Sequence, residues 1–318
     1  MTRYRNVGLF LFLAAVWGSA FMAIKAGLPF FPPVLFAAVR FDVAGVVMLA
    51  YAAVVVDDPV PRSRVEWVTV VAGAAFMIAG YHALLFVGEQ GTTSAAAAVI
   101  VSLSPVLTTG FARLFLPRER LSVVGLAGLA LGLLGVAVLA FGFDGLVAVV
   151  TAPSAFLTTD VVSKGLVLGA TLSFAFGSVV TGRLDHGLDI EVMEAWSMLL
   201  GAGLMHALSV AVGESLAAVR PTVTALAALG YLSVVSSALG FLVYFDLHER
   251  LGPVEINLVS YVAPVFAAIS GWLVLDEVID AATAVGFCCI LAGFLALKRR
   301  AVGDELDRVG RAQSVESD

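Results

Sequence analysis

The sequence predicts an all-helical integral membrane protein with ten transmembrane helices, arranged as two inverted repeats of five, with both termini cytoplasmic. Three observations support this: the composition, the length of the apolar runs and a repeat at one constant offset. The chain has 318 residues, 60% hydrophobic and 13% charged, with a mean hydropathy of +1.01. Soluble domains are about 45–50% apolar and about 25% charged, so this chain has too much apolar surface for one aqueous core.

The apolar runs are long and continuous, which favours helices over barrel strands, since barrel strands alternate over about ten residues. Charged residues lie in the short breaks between the runs. Cutting there predicts spans at about 7–27, 34–56, 67–88, 94–116, 121–142, 163–183, 191–213, 223–247, 253–275 and 280–299. We expect 143–162 to be an interfacial linker and 300–318 to be a disordered tail, because the first is interrupted and the second is polar.

Lysine and arginine placement predicts the orientation. With a cytoplasmic N-terminus, 14 of these residues fall on the inner side and three, Lys25, Lys164 and Arg220, on the outer side. The positive-inside rule therefore favours cytoplasmic termini. The basic start and apolar run of 2–20 also resemble a signal peptide, but the apolar character continues through Ile24, so we expect a retained span.

Matching residues recur along the chain at one offset. Pro105 and Pro264 are 159 residues apart, as are Phe86 and Phe245, and a deletion of one residue relates later glycines. The further pairs are Trp17-Gly18-Ser19 with Phe176-Gly177-Ser178, Gly128 with Gly286, and Gly135 with Gly293. The chain is therefore predicted to be a duplicated unit, 7–142 and 163–299. Because five spans is an odd number, the second unit should enter the membrane from the opposite side, as in many secondary transporters.

Pro105 and Pro264 interrupt apolar segments that otherwise look helical. Proline removes one helical hydrogen bond and frees a carbonyl, which a membrane protein tolerates where that carbonyl faces protein or a water-filled cavity. We therefore interpret both as kinks in cavity walls. The alternative, kinks that serve only packing, stays open.

Four stretches resemble the EamA family of the drug/metabolite transporter superfamily: AVWGSAFMAIKAG, PVLFAAVRF, SLSPVLTTGFARLFLPRERL and LGPVEINLVSYVAPVFAAISGWLVLDEVI. The resemblance covers about 7–140 and 164–298. It implies ten helices in two repeats, a central cavity, and export or exchange of small metabolites. The chain departs from the family pattern at LPRER, where a Gly-Glu pair is usual, and its second repeat lacks a counterpart of the Trp17 indole.

Ionisable groups inside a membrane are costly and are functional candidates by default. Arg40 lies about seven residues into the second span, where its planar fork could hold a carboxylate; snorkelling to the outer interface is the alternative. His82 shares a helical face with Phe86 and Glu89, and His82 and Glu89 could relay protons, unless His82 is simply hydrogen-bonded. His206 lacks such a companion and is expected to be structural.

Asn257, Tyr261 and Pro264 are predicted to share one face of the ninth span, where Asn257 and Tyr261 could orient a polar ligand or join helices. Trp17 is a candidate wall of the binding site, with plain packing as the alternative. Glu119 and Glu277 begin the fifth and tenth spans, and we expect them to complement the N-termini of those helices.

No catalytic cluster is visible, and the four histidines lack metal-ligand spacing, so we expect neither an enzyme nor a metal site. There is no phosphate-binding glycine loop and no cofactor is expected. The net charge of −6 argues against nucleic acid. We therefore expect a secondary transporter of a small metabolite or drug-like solute in a prokaryotic plasma membrane, acting by alternating access, with proton coupling and a homodimer both open. The alternatives are a passive channel or, less favoured, a lipid-modifying enzyme.

Overall fold

The computed structural model describes residues 2–115, 123–151, 158–184, 187–251 and 256–296, whose regular structure is helical throughout. The long helices in these residues are α1 (Thr2–Gly27), α2 (Pro33–Val55), α3 (Arg64–Glu89), α4 (Ser94–Leu114), α5 (Val123–Thr151), α6 (Thr159–Thr181), α7 (Ile190–Ala211), α8 (Val223–Leu251), α9 (Val259–Leu275) and α10 (Ala281–Ala296).

Seven of these described helices, α1 to α6 and α8, are long and apolar enough to cross a membrane. The helices α9 and α10 are apolar but shorter, and α7 carries Glu191, Glu194 and His206, which lower its mean hydropathy. The prediction of an all-helical, multi-pass membrane protein is confirmed. The number of ten crossings, the side of the termini and the repeat boundaries stay predictions.

Polar side chains fix the first turns of several helices, because the first N–H groups of a helix have no partner within it. Ser63 and Glu66 form a capping box, so α3 begins three residues before the predicted boundary. Thr93 and Thr222 accept backbone hydrogen bonds at the starts of α4 and α8. These caps place helix starts that apolar periodicity alone locates only approximately.

The role predicted for Glu277 is wrong. Both of its carboxylate oxygens accept from the backbone N–H of Ser94, at 3.1 and 3.0 Å, so Glu277 caps α4. The helix α10 is instead started by Asp280, whose carboxylate accepts from the N–H of Thr283 at 2.6 Å. The chain between α9 and α10 therefore folds back onto the start of α4. Glu119 lies outside the described residues.

The helix α5 continues past its predicted end at residue 142. Gly142 has a φ of +66°, which breaks the regular backbone and joins two helical pieces across a kink. Residues 143–151 are thus helical, whereas 152–157 and the tail 300–318 lie outside the described residues. The interfacial position of 143–162 stays a prediction.

Helices of one half of the chain pack on helices of the other half in a symmetrical way. The helix α1 packs on α9, and its counterpart α6 packs on α4, the counterpart of α9. The helices α2 and α7, which are counterparts of each other, pack together. This reciprocal pairing is the pattern expected when two inverted units share one core, and it supports the repeat hypothesis.

Glycines bring α5 and α10 into backbone contact. A Cβ added to Gly135 would lie 2.6 Å from the carbonyl oxygen of Gly286, and one added to Gly293 would lie 2.5 Å from that of Gly128. Because Gly128 corresponds to Gly286 and Gly135 to Gly293, the two contacts are equivalent under the repeat. Small residues here let the two helix backbones approach closely.

We expect Gly135→Ala to lower the thermal stability of the purified protein. Alanine favours a helix by up to about 1 kcal/mol over glycine, but overpacking costs about 1–3 kcal/mol, and here the obstacle is backbone. Gly203→Ala in α7 is the matched control, because a Cβ there would meet nothing within 4 Å. Thermal unfolding in detergent should show a lower Tm for Gly135→Ala only. Equal shifts in Tm for the two variants would contradict the close backbone contact between α5 and α10.

The orientation can be tested with single cysteines, once the native Cys288 and Cys289 are replaced. Asp57, between α2 and α3, and Ala217, between α7 and α8, are both exposed. With cytoplasmic termini, an impermeant thiol reagent should label Ala217→Cys in intact cells and Asp57→Cys only after disruption. The reverse pattern would place the termini outside.

Candidate functional site

Arg40 lies inside the helix bundle, with 6% of its surface exposed. Its Nε donates a hydrogen bond to the hydroxyl of Ser237 at 3.1 Å, and Nη2 donates to the hydroxyl of Ser236 at 3.4 Å. Among the ion pairs of the described residues, none includes Arg40. The side chain thus does not snorkel outward. It is an interior cation held by two neutral hydroxyls.

The helices α3 and α8 each contain a π-helical segment. One is Gly73–Gly80 within α3, and the other is Tyr231–Leu239 within α8. They correspond to each other under the offset of the repeat. π-Helical turns are rare and often occur at functional sites, because the wider turn displaces side chains and carbonyls from their regular positions. Both serine partners of Arg40 belong to the segment in α8.

Aromatic rings form the apolar wall beside the guanidinium. The Arg40 Cζ lies 5.0 Å from the ring centroid of Phe41 and 6.0 Å from that of Phe86, within cation–π range. The imidazole of His82 lies 4.3 Å from the Phe41 ring, centroid to centroid, and 4.5 Å from the Tyr81 ring. An anionic group that approached Arg40 would therefore lie in a largely dry environment.

His82 is buried and donates one hydrogen bond to its own helix. Its Nδ1 lies 2.9 Å from the carbonyl oxygen of Ile78, which belongs to the π-helical segment of α3. A carbonyl can only accept, so this contact places a proton on Nδ1, and a neutral ring then offers Nε2 as an acceptor. No direct hydrogen bond joins His82 to Glu89 among the described contacts. The relay of the two stays a hypothesis.

Trp17 on α1 reaches the same segment of α8 as Arg40. Its indole Nε1 donates to the carbonyl oxygen of Ser236 at 3.2 Å, and its ring lies 5.5 Å from that of Tyr244. Ser236 thus contacts Trp17 through its carbonyl and Arg40 through its hydroxyl. Two residues further along α1, the hydroxyls of Ser19 and Tyr231 share a 2.6 Å hydrogen bond. The structure therefore brings together Trp17, Arg40 and His82.

The remaining predicted site residues lie elsewhere. Tyr261 is buried against Phe294, with ring centroids 4.4 Å apart, and its hydroxyl has no hydrogen-bond partner. Asn257 lies in an exposed turn before α9, so the predicted helical face does not extend back to it. Pro264 is inside α9 and lines an apolar cavity of about 360 Å³ between α4, α9 and α10.

The two prolines are not equivalent in the structure. Pro105 is the second residue of the helical piece Ser104–Phe115, directly after a turn at 102–103, where a proline is easily accommodated. Pro264 is in a helix interior. The Arg40 cluster consists of Arg40 and the neighbouring residues Phe41, His82, Phe86, Ser236 and Ser237. None of these residues lines the cavity at Pro264, so this cavity is separate from the candidate site. The role of either proline in transport stays a prediction.

Sequence reasoning missed the serines that hold Arg40. Three serines occur within YLSVVSSAL in an otherwise apolar helix, and this density was the available signal. It also left His206 without a companion, whereas the His206 Nε2 on α7 lies 2.7 Å from Oδ2 of Asp42 on α2. In the described residues no group of three or more His, Cys, Asp and Glu side chains is placed to hold a metal ion.

Comparison with known proteins gives one family and several relatives. Residues 6–141 and 164–298 both match the model of the EamA-like transporter family. The chain is 29% identical to the inner membrane transporter YedA of Escherichia coli K12, over 83% of this chain and 81% of that protein. It is 28% identical to a protein of Streptantibioticus cattleyicolor named "Probable terminal-alkyne amino-acid exporter", over 90% of this chain and 91% of that protein. A solved crystal structure shares the fold, with a TM-score of 0.63 and 22% sequence identity. The match covers 94% of this chain and 99% of the chain in that structure.

We expect Ser237→Ala to destabilise the protein, because a hydrogen bond to a charged group contributes about 1.5–3 kcal/mol and the guanidinium would stay buried. The matched control is Ser233→Ala in the same segment, since the Ser233 hydroxyl is buried without a partner. Thermal unfolding should show a lower Tm for Ser237→Ala and little or no loss for Ser233→Ala. Equal decreases in Tm for the two variants would mean that the hydrogen bond from Arg40 to Ser237 does not contribute to the stability of the protein.

Proposed function

Because the chain belongs to the EamA-like transporter family, we propose that it is a secondary transporter that exports or exchanges a small metabolite bearing a carboxylate. The chain is a multi-pass protein of the plasma membrane, and its relatives are named as transporters or exporters. The observation that carries the proposed substrate class is Arg40, an interior cation that forms no ion pair with a carboxylate among the described residues.

The chemistry of the guanidinium argues for an anionic ligand. A buried charge without a partner is costly, and neutral hydroxyls satisfy its hydrogen bonds without balancing its charge. A carboxylate matches the planar fork of arginine with two parallel hydrogen bonds and would supply the missing charge. The rings of Phe41, Phe86 and His82 nearby would suit the apolar part of such a molecule.

An amino acid is the substrate class that best fits these features. Its carboxylate would bind Arg40, while its ammonium group could interact with acceptors such as the imidazole Nε2 of His82 or the faces of nearby rings. The relative named as an amino-acid exporter supports the same class. The amino acid itself would be selected by the apolar wall.

Alternating access is the transport mode that this arrangement favours. Arg40 is enclosed, so a solute can reach it only after helices move apart. Both π-helical segments adjoin the site, and their irregular hydrogen bonding would let α3 and α8 bend there more easily than in a regular helix. A passive channel is the second candidate, and counterflow of labelled substrate distinguishes the two.

The test is counterflow of labelled amino acids into proteoliposomes preloaded with the same unlabelled amino acid. We expect saturable uptake by the wild type and weaker binding by Arg40→Lys, because an ammonium cannot reproduce the bidentate fork. Loss of one charge-assisted hydrogen bond of about 1.5–3 kcal/mol would weaken apparent affinity roughly tenfold to a hundredfold.

Arg220→Lys is the control, because Arg220 is an exposed arginine that donates to the carbonyl of Pro29 near the membrane surface. It should leave affinity unchanged. Equal affinities of wild type and Arg40→Lys would return Arg40 to a structural role. Uptake that does not depend on preloading and does not saturate would favour a channel over a transporter.

A further inference from the structure

Glu89, at the end of α3, is a buried carboxyl group without a partner. It has 0% of its surface exposed, and neither of its carboxylate oxygens has a hydrogen-bond partner among the residues that the structure describes. Two further buried oxygens close by in the chain, the hydroxyls of Thr92 and Ser94, are also unpartnered. The carboxyl group forms no hydrogen bond with the residues around Arg40 described above, although Arg40 is among the charges within electrostatic range of it.

The nearest cation is committed to the backbone instead. The Lys25 ammonium on α1 donates to the carbonyl oxygens of Glu89 and Thr92, at 2.8 and 2.6 Å, and to that of Gln90 at 3.3 Å. These three carbonyls belong to the end of α3 and the loop that follows it. Lys25 therefore clamps α1 to this loop and leaves the Glu89 side chain unpaired.

The other charged groups around Glu89 do not pair with it either. Arg40 on α2 is bonded to the two serines of α8, and Glu277, beside the start of α4, is a like charge that accepts from the Ser94 N–H. On α3 itself, His82 is two turns away and bonded to its own helix. On α6, which packs on this part of α3, Lys164 is paired with Asp160.

An ionised carboxylate in such a place would be destabilising, because no donor hydrogen-bonds it and the two cations in range, Lys25 and Arg40, are held by other partners. The neutral acid removes most of that cost. The arrangement seen here is therefore the one that suits a protonated Glu89. An ionised Glu89 would attract the Lys25 ammonium away from the backbone carbonyls and release the clamp between α1 and the α3–α4 loop.

We propose that Glu89 is the proton-binding group that couples proton movement to transport. The proposal rests on the proposed transport function. In the step, a Glu89 carboxylate oxygen takes a proton from hydronium on one side of the membrane, giving the neutral acid and water, and later returns it to water on the other side. The clamp through Lys25 links this step to α1, the helix that carries Trp17 of the candidate site.

The first test needs no substrate. Infrared spectra of the purified protein in lipid nanodiscs, recorded at neutral pH in H₂O and D₂O, report carbonyl stretches of neutral carboxyl groups. We expect a band that shifts in D₂O and is lost in Glu89→Gln. Glu277→Gln should keep it, because the Glu277 carboxylate is already hydrogen-bonded and glutamine retains an acceptor. If Glu89→Gln does not fold, Glu89→Asp should instead move the band to a different frequency.

The second test uses the labelled amino acids of the counterflow assay. Glu89→Gln should keep counterflow at the wild-type rate but lose accumulation driven by a pH gradient. Accumulation that persists in Glu89→Gln, or that follows a sodium gradient instead, would overturn the coupling role. A Glu89→Gln spectrum identical to the wild type would overturn proton binding itself. If the wild type moves no amino acid, the proposed function fails, while the infrared result still decides whether Glu89 holds a proton.

Discussion

The backbone of a membrane protein must find its hydrogen-bond partners within the protein, because the hydrocarbon offers none. Much of the architecture follows from this constraint. Where helices end or become irregular, side chains from distant parts of the sequence supply the partners. Glu277 serves the start of α4, Lys25 serves the end of α3, and Trp17 donates to a carbonyl in the π-helical segment of α8.

The same constraint explains where the irregular backbone lies. Each π-helical segment has one face buried against neighbouring helices, where the carbonyls that π turns displace can find partners within the protein. Polar groups on this buried face are available to neighbouring helices or to a solute. Ser236 illustrates this, because its carbonyl serves α1 and its hydroxyl serves α2. A ligand that displaced either contact of Ser236 would therefore affect the packing of both α1 and α2.

Sequence reasoning singled out residues whose type conflicts with their surroundings. Arg40, His82 and Trp17 stood out as polar or bulky groups in apolar spans, and the structure brings them together. It failed where the outcome depends on tertiary contacts. Glu277 looks like the cap of the helix that follows it, and only the folded loop directs it to Ser94. Asn257 looked like the start of a helical stripe, but the regular turns of α9 begin after it.

The π-helical segments were invisible for a related reason. One extra residue per turn leaves composition and apolar content unchanged, so no pattern in the sequence marks it. The repeat was the exception among long-range features, because a constant offset is a property of the sequence itself. The offset implies that the packing of α1 on α9 should be matched by packing of α6 on α4, as is observed. It does not indicate which helices pair.

The glycine crossing of α5 and α10 limits how the two halves can diverge. Elsewhere, a larger side chain in one half can be offset by a smaller one facing it. At Gly135 and Gly286 both sides of the contact are already backbone, so nothing remains to be made smaller. Each half therefore requires glycine in the other half at this contact. The two halves can differ more freely in the helices that line the site than they can here.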